Sequence, residues 1–356
     1  MKRTDVAIAG AGIIGLTTAL DLATAGCKVT VFDRSEAMSE ASRAAAGMLA
    51  GADPENPVEL RKLAHLSLAC YPEFLSRVED LSQKKVPVRT TSTLQGVHHL
   101  PSGTKAPEAK FLTEAEIQAV APGANIEGWE FLQIQEKSID AWDLAEAFPA
   151  AARAANIELR EHAAVLSVHS GNGALEIVTA AGTFSAGLFL NATGAWAPGL
   201  EPAIPVAPRK GHMLTAELSG EVQMHCVLRT PNVYIIPRGA NRYTVGSTVE
   251  DAGFDRTVDP LRIQALFSRA TDLWPPLRDA SIAEAWVGFR PGSTDGLPII
   301  DQTAENCWIA TGHFKNGILL GPGTGRVVSQ WMLGRQPDVD LSPFRCGRFV
   351  LAAATS

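Results

Sequence analysis

The sequence predicts an α/β fold, α+β overall, in which a Rossmann-type nucleotide-binding domain is interleaved with a smaller domain built on an antiparallel sheet. Three observations predict it. The chain opens as strand, glycine turn, helix and second strand, DVAIAGAGIIGLTTALDLATAGCKVTVFD. Elements of the same nucleotide-binding character return in mid-chain and again near the C-terminal end. Between them lie short threonine-rich and aromatic strand patterns broken by turns, the signature of a second sheet. The expected division gives residues 1–82, 138–204 and 285–356 to the nucleotide-binding domain, and 83–137 and 205–284 to the substrate-binding domain.

Taken in order, DVAIAG is a buried strand, IIGLTTALDLATAG has helical spacing and ends at Gly26, and KVTVFD alternates as a strand. A helical pattern returns from Glu55 to Val78. After Pro87, VRTTSTLQGVHHLPSG gives short strand signals, PSGTKAP reads as a loop, and LTEAEIQAVAPG is a short helix capped at Thr113. From Asp140 to Asn156 the chain is alanine-rich and helical; Pro149 inside it predicts a kink or two shorter helices. IELREHAAVLSVHS, a GNG turn, ALEIVTAAG and TFSAGLFLNATG then read as strands, followed by VPVAPRKGHMLTAEL, NVYIIPR and RYTVGSTVE. A helix opens at Asp259-Pro260, where proline suits the first helical position. Near the end, GFRPGSTDGLPII places Arg290 between turn-forming residues, and GHFKNGILLGPGTG reads as a glycine-rich loop opening the last helix.

Composition narrows the function classes. With 31 Lys and Arg against 38 Asp and Glu, the 356-residue chain carries a net charge of −7, and no basic stripe is available to neutralise phosphates. Nucleic acid is therefore excluded as the main partner. The five cysteines, Cys27, Cys70, Cys226, Cys307 and Cys346, are scattered and form no CxxC pair. No disulfide framework or metal site is expected, and a reducing cytoplasm is the expected compartment. Lys2 and Arg3 before VAIAGAGIIGL imitate a signal peptide, but the glycine spacing and the acidic strand end that follows read as a retained nucleotide unit. No segment is long enough to span a bilayer, so no membrane partner is expected.

The opening loop carries chemistry. Gly10 permits a tight turn, Gly12 lets backbone approach a pyrophosphate, and Gly15 lets helix and strand pack closely. The helix end adds unpaired N–H groups and a positive dipole to the phosphates. Asp33 closes the second strand where a carboxylate accepts hydrogen bonds from ribose hydroxyls. This loop alone leaves NAD and FAD both open.

Three further pieces, SRAAAGML, LNATGAW, and GFRPGSTDGLPII with GHFKNGILLGPGTG, resemble the flavoprotein group that contains D-amino acid oxidase, sarcosine oxidase and glycine oxidase. Within that group the run AAAGML, the tyrosine of YIIPR and the HFxNGILLxPxTG pattern most resemble the glycine oxidase of thiamine biosynthesis. The resemblance covers nearly the whole chain and implies non-covalent FAD. It places the pyrophosphate at Gly10, Gly12, Ile13, Ile14 and Gly15, and the ribose at Asp33 beside Arg34. It places Ser42, Arg43, Ala45, Ala46, Gly47 and Met48 on the flavin side, and Val165 at the adenine. Ala192, Gly194 and Trp196 lie where the chain passes the dinucleotide. Asn316, Gly317, Ile318 and Leu319 lie at the flavin pyrimidine edge, where a helix N-terminus stabilises negative charge on the reduced ring.

For the substrate, the resemblance implies that Arg290 grips a carboxylate with its two-pronged guanidinium, Tyr234 supports the same group, and Met48 walls the pocket beside the flavin. Lys315, Val249 and Asn232 depart from the family pattern of arginine, methionine and histidine and bear on pocket size. His212, His225 and His313 are isolated, and no obligatory acid or base is expected. The implied reaction transfers hydride from Cα to flavin N5, giving glyoxylate, ammonia and, after oxygen reoxidises the flavin, hydrogen peroxide. Glycine, sarcosine and small D-amino acids are the expected substrates, since excluding one methyl group is worth only about 1–3 kcal/mol. Relatives of this group imply a homo-oligomer.

Overall fold

The structure is a computed structural model that describes residues 2–98, 110–171, 173–220 and 222–349. The PSGTKAP loop and the centre of the GNG turn lie outside the described residues. Its helices are α1 (Ile13–Thr24), α2 (Ala41–Ala44), α3 (Arg61–Ser82), α4 (Glu114–Val120), α5 (Ala141–Ala154), α6 (Pro260–Leu273) and α7 (Gly317–Met332).

The first sheet has the order Val165–Ser170, Leu175–Thr179, Gly182–Asn191, Lys2–Ala9, Val29–Phe32 and Glu158–Arg160, with Cys307–Thr311 joined to the end of Gly182–Asn191 and Ile299–Ala304 beyond it. Lys2–Ala9 pairs in parallel with Gly182–Asn191 on one side and Val29–Phe32 on the other. All four residues of Val29–Phe32 are buried, as a parallel strand covered on both faces requires. One face is covered by α1, α3, α5 and α7, whose apolar residues join those of the strands in the largest core cluster. The sequence therefore supplied the Rossmann half correctly.

The second sheet runs Ala280–Ser293, Val206–Leu218, Arg242–Gly246, Tyr234–Gly239, Val227–Arg229, Thr93–Val97, Glu130–Ile134 and Lys110–Phe111. Its pairs are antiparallel except that between Val227–Arg229 and Thr93–Val97. α4 and α6 cover it over a separate core around Trp274. A third, three-stranded sheet joins Met48–Leu49, Lys137–Ile139 and Val88–Thr90.

Four local expectations change. The helix expected from Glu55 begins at Arg61, after a 3₁₀ turn at Val58–Leu60, and runs on to Ser82. α5 continues through Pro149 as one helix, which removes the two shorter helices from the two alternatives the proline left open. Arg290 lies inside the strand Ala280–Ser293 and not at a turn, and the expected domain boundary at residue 285 falls within that same strand. The proline that suggested a turn is absorbed because Pro291 faces Pro208 across the ladder. Two facing prolines fit a non-hydrogen-bonded pair, where neither needs an N–H.

The GPGTG run is the fourth change: it lies within α7, not in a loop before it. A Cβ on Gly321 would come within 2.7 Å of Ile13, and one on Gly325 within 2.7 Å of Thr17. The glycines thus let α7 pack backbone-close on α1 and α3. Pro322 has no N–H for the carbonyl of Ile318, and the buried Tyr71 hydroxyl donates there instead, at 2.5 Å. Ser67 inserts likewise, accepting from the Gly323 N–H at 2.9 Å and donating to the Leu319 carbonyl at 2.6 Å. These side chains restore bonds that proline and close packing remove, while Thr113 caps α4 in a full capping box with Glu116.

Candidate active site

A cavity of about 640 Å³ runs between the two large sheets, from the GAGIIG loop to Arg290. That size suits a buried organic ligand. At its nucleotide end, Gly10 holds φ +103°, and a Cβ there would lie 2.3 Å from the Ala192 carbonyl oxygen. A Cβ on Gly15 would strike the Gly10 carbonyl at 1.9 Å, so the third glycine serves helix packing. Asp33 Oδ2 accepts the Ala11 N–H at 2.6 Å and Oδ1 accepts the Ser35 N–H at 2.9 Å. Burial pushes its carboxyl above the usual range, against the lowering effect of those donors. The Ile13 N–H donates to Ser42 Oγ at 2.9 Å, tying the first turn of α1 to α2.

Gly10, Gly12, Ile13, Ile14, Asp33, Arg34 and Ser42 all line the cavity. So do Ala45, Ala46, Met48, Val165, Ala192, Gly194 and Trp196, and at the far end Tyr234, Arg290, Asn316, Gly317 and Ile318. Gly15, Arg43, Gly47 and Leu319 do not. Arg43 is exposed and lies over the Trp142 ring at 4.8 Å. Gly47 is buried where a Cβ would lie 2.0 Å from the Ile139 carbonyl, and Leu319 is buried in the α7 packing. Trp196 is sandwiched between the Arg34 guanidinium at 4.0 Å and the Phe254 ring at 4.5 Å. The three departures from the family pattern, Asn232, Val249 and Lys315, all line the same cavity.

Arg290 is half-buried, and its partners are neutral. Its Nη2 donates to Ser247 Oγ at 2.7 Å and its Nη1 to the Thr248 carbonyl at 3.2 Å. Among the described residues no carboxylate pairs with it, so its charge faces the cavity uncompensated. Tyr234 extends its hydroxyl to the Met213 sulfur at 3.6 Å, a weak acceptor that leaves the O–H available to a ligand.

Sequence reasoning missed several residues here. Gly211 and Gly246 make room for the two polar groups: a Cβ on Gly211 would meet Arg290 Nη1 at 2.1 Å, and one on Gly246 the Tyr234 hydroxyl at 2.1 Å. Each clash crosses strands, so no local signal reveals it. Arg229 is a second guanidinium on the cavity wall, but it is neutralised. Its Nη2 lies 3.3 Å from Glu136 and its Nη1 3.7 Å from Asp53, while its Nε donates to Gln95 at 2.5 Å. Lys315 is likewise paired with Glu55 at 3.1 Å and Asp53 at 3.4 Å.

His313 lines the cavity, is buried, and shares a 3.1 Å hydrogen bond with the Thr324 hydroxyl. Burial pushes its pKa down to about 3. The unfolded chain therefore binds one more proton at this residue between pH ~6.5 and the folded value, and stability falls as pH drops through that window, by about 1.4 kcal/mol per unit from this group. Asp21, pushed by burial up to about 6 despite Arg77, acts with the opposite sign between its unfolded value and that pH. His313→Gln is expected to flatten the loss of stability between pH 6.5 and 4. Denaturant unfolding at four pH values checks this, and an unchanged slope in the variant would refute it.

The FAD dependent oxidoreductase (DAO) family model matches residues 5–331. The bifunctional protein ThiO/ThiG of Trichormus variabilis is 35% identical over 99% of this chain, which spans 56% of that longer protein. The glycine oxidase of Bacillus licheniformis is 30% identical, with 94% of each chain covered. The crystal structure of glycine oxidase from Geobacillus kaustophilus superposes with a TM-score of 0.90 at 28% identity, over 97% of this chain and 99% of that one. A Rossmann loop, an acidic second strand and a helix N-terminus around one elongated cavity fit a dinucleotide, and with the match over nearly the whole length the chain belongs to the FAD dependent oxidoreductase family.

Proposed function

We propose that the protein is a glycine oxidase that also accepts sarcosine and small D-amino acids, with oxygen as the final acceptor. From glycine, water and oxygen the products are glyoxylate, ammonia and hydrogen peroxide, and the enzyme serves formation of the thiamine thiazole. The observation that carries this reading is Arg290, a charged guanidinium held by neutral partners on the wall of the cavity that begins at the GAGIIG loop. Bound FAD supplies the hydride acceptor. The chain's residues do the rest by position and field.

Gly10, Gly12 and the first turn of α1 hold the pyrophosphate, Asp33 the ribose, and Val165 the adenine. The N-terminus of α7 at Gly317 and Ile318 gives the ring its positive dipole end. Arg290 grips the substrate carboxylate through two N–H donors, and Tyr234 adds its hydroxyl. Met48, Asn232 and Val249 limit the space left for a side chain, and no protein group has to carry the substrate proton. The sheet of Lys2–Ala9 forms the FAD domain and the sheet of Val206–Leu218 the substrate domain. We place the enzyme in the cytoplasm as a homo-oligomer; among the described residues no helix is long and apolar enough to cross a membrane.

Anaerobic mixing with glycine, sarcosine, D-alanine and D-proline tests the reading. Glycine and sarcosine are expected to bleach the bound flavin fastest. Fastest bleaching by D-proline would make it a D-amino acid oxidase instead, and no bleaching by any of them would end the proposal.

A further inference from the structure

Arg290 is aimed by a peptide at the irregular end of a sheet ladder. The strand Arg242–Gly246 ends one residue before Ser247, and the two acceptors of the guanidinium, Ser247 Oγ and the Thr248 carbonyl, lie in the segment that follows. Backbone bonds to the strand Val206–Leu218 persist from the Thr248 N–H to the His212 carbonyl, at 3.4 Å, and at Glu250, and side chains reinforce them. Thr248 Oγ1 donates to Glu250 Oε1 at 2.5 Å and accepts the His212 N–H at 2.8 Å. The His212 ring is fully buried, and its Nε2 accepts the Asp259 N–H at 3.0 Å at the start of α6. An accepting Nε2 puts the ring proton on Nδ1, which lies 2.8 Å from the same Glu250 oxygen. Glu250 is then fixed by backbone bonds in both directions with Lys210, the neighbour of Gly211.

We propose that His212, Glu250 and Thr248 form a positioning relay for Arg290, fixing the Thr248 carbonyl so that the guanidinium meets a substrate carboxylate in one orientation. The relay explains how a carboxylate can organise the site without neutralising it. Glu250 acts through Thr248 and never touches Arg290, so the arginine keeps its charge for the ligand. A direct Glu–Arg pair would hold the side chain as firmly but would compete with the substrate. Arg229, paired with Asp53 and Glu136 on the same cavity wall, shows that competing arrangement.

The inference rests on Arg290 as the carboxylate anchor, and one experiment separates the two. Glycolate, a carboxylate without the amine, is titrated into the flavin-loaded enzyme and its Kd read from perturbation of the flavin absorption. Thr248→Val and Glu250→Ala are each expected to raise that Kd about tenfold, the scale of one net hydrogen bond, with FAD affinity unchanged. KM for glycine should rise with them while kcat holds. Glu250 also pairs through its other oxygen with Arg262 at 3.1 Å, so the rescue is placed at its partner: Thr248→Ser, which keeps the hydroxyl that bonds Glu250 and the His212 N–H, is expected to restore wild-type binding. Glycolate affinity unchanged in both disrupting variants, FAD affinity falling in step with it, or Thr248→Ser behaving like Thr248→Val would each overturn the relay. If Arg290→Ala also leaves glycolate binding intact, the anchor itself is wrong; if only the relay variants do, the anchor stands without it.

Discussion

Arg290→Ala is expected to bind FAD normally and lose kcat/KM for glycine by roughly 10²- to 10⁴-fold, equivalent to about 3–5 kcal/mol of transition-state binding. The size follows from the site's electrostatics. A substrate carboxylate entering the cavity gives up water, and only a bidentate guanidinium returns comparable bonds. Its neighbours cannot substitute, because Arg229 and Lys315 are already committed to Asp53, Glu136 and Glu55. Removing Arg290 should do little to the fold. Among the described residues its side chain bonds Ser247 and Thr248 alone, and its loss leaves a neutral hydroxyl and a carbonyl that water can reach. Steady-state kinetics on the flavin-replete variant is the check: near-normal kcat/KM would sink the assignment. Arg290→Lys should recover only part of the loss, since an ammonium cannot make the paired planar contact.

What the sequence revealed, and what it hid, follows from how local each requirement is. The GAGIIG loop was legible because much of its constraint is short-range: Gly15 packs on the Gly10 carbonyl and Asp33 accepts the Ala11 N–H, all within a single strand–helix–strand unit. The capped helices α4 and α6 were legible for the same reason, with Thr113 and Asp259 each bonding an N–H two or three residues on. Arg290 was legible only through the resemblance. Its flanking glycine and proline read locally as a turn, and the long strand appears only once Pro208 is seen to face Pro291. The spaces made by Gly211 and Gly246 were hidden entirely, because the side chains they accommodate come from other strands. The GPGTG run misled in the other direction: glycine density suggests a loop, whereas α7 uses those glycines to approach α1 and α3 and borrows hydroxyls from Tyr71 and Ser67.

Two alanine substitutions two residues apart in the nucleotide loop should fail in different ways. At Gly10 the backbone is left-handed, and a new Cβ would lie 2.3 Å from the carbonyl oxygen of Ala192, a residue just past the strand Gly182–Asn191 whose N–H is held by the Ala9 carbonyl at 2.7 Å. Gly10→Ala is therefore expected to destabilise even the apoprotein, by about 2–5 kcal/mol from backbone strain and overpacking together, and to lose flavin as a consequence. At Gly12 the backbone is extended, and among the described residues the one atom close to a new Cβ, outside its chain neighbours, is the Ser42 hydroxyl at 3.2 Å. The protein by itself does not require a glycine there. Gly12→Ala should keep apoprotein stability within about 1 kcal/mol. Its methyl group would instead occupy the space through which a pyrophosphate approaches the α1 N-terminus, so FAD affinity should fall about 10- to 100-fold, the scale of one charge-assisted hydrogen bond. Denaturant unfolding of the two apoproteins, set beside FAD titrations, separates the cases. Equal destabilisation of both would mean that packing, not the cofactor, dictates the second glycine; a stable Gly12→Ala with weakened flavin would mean that a residue with room for a side chain is kept bare for its ligand.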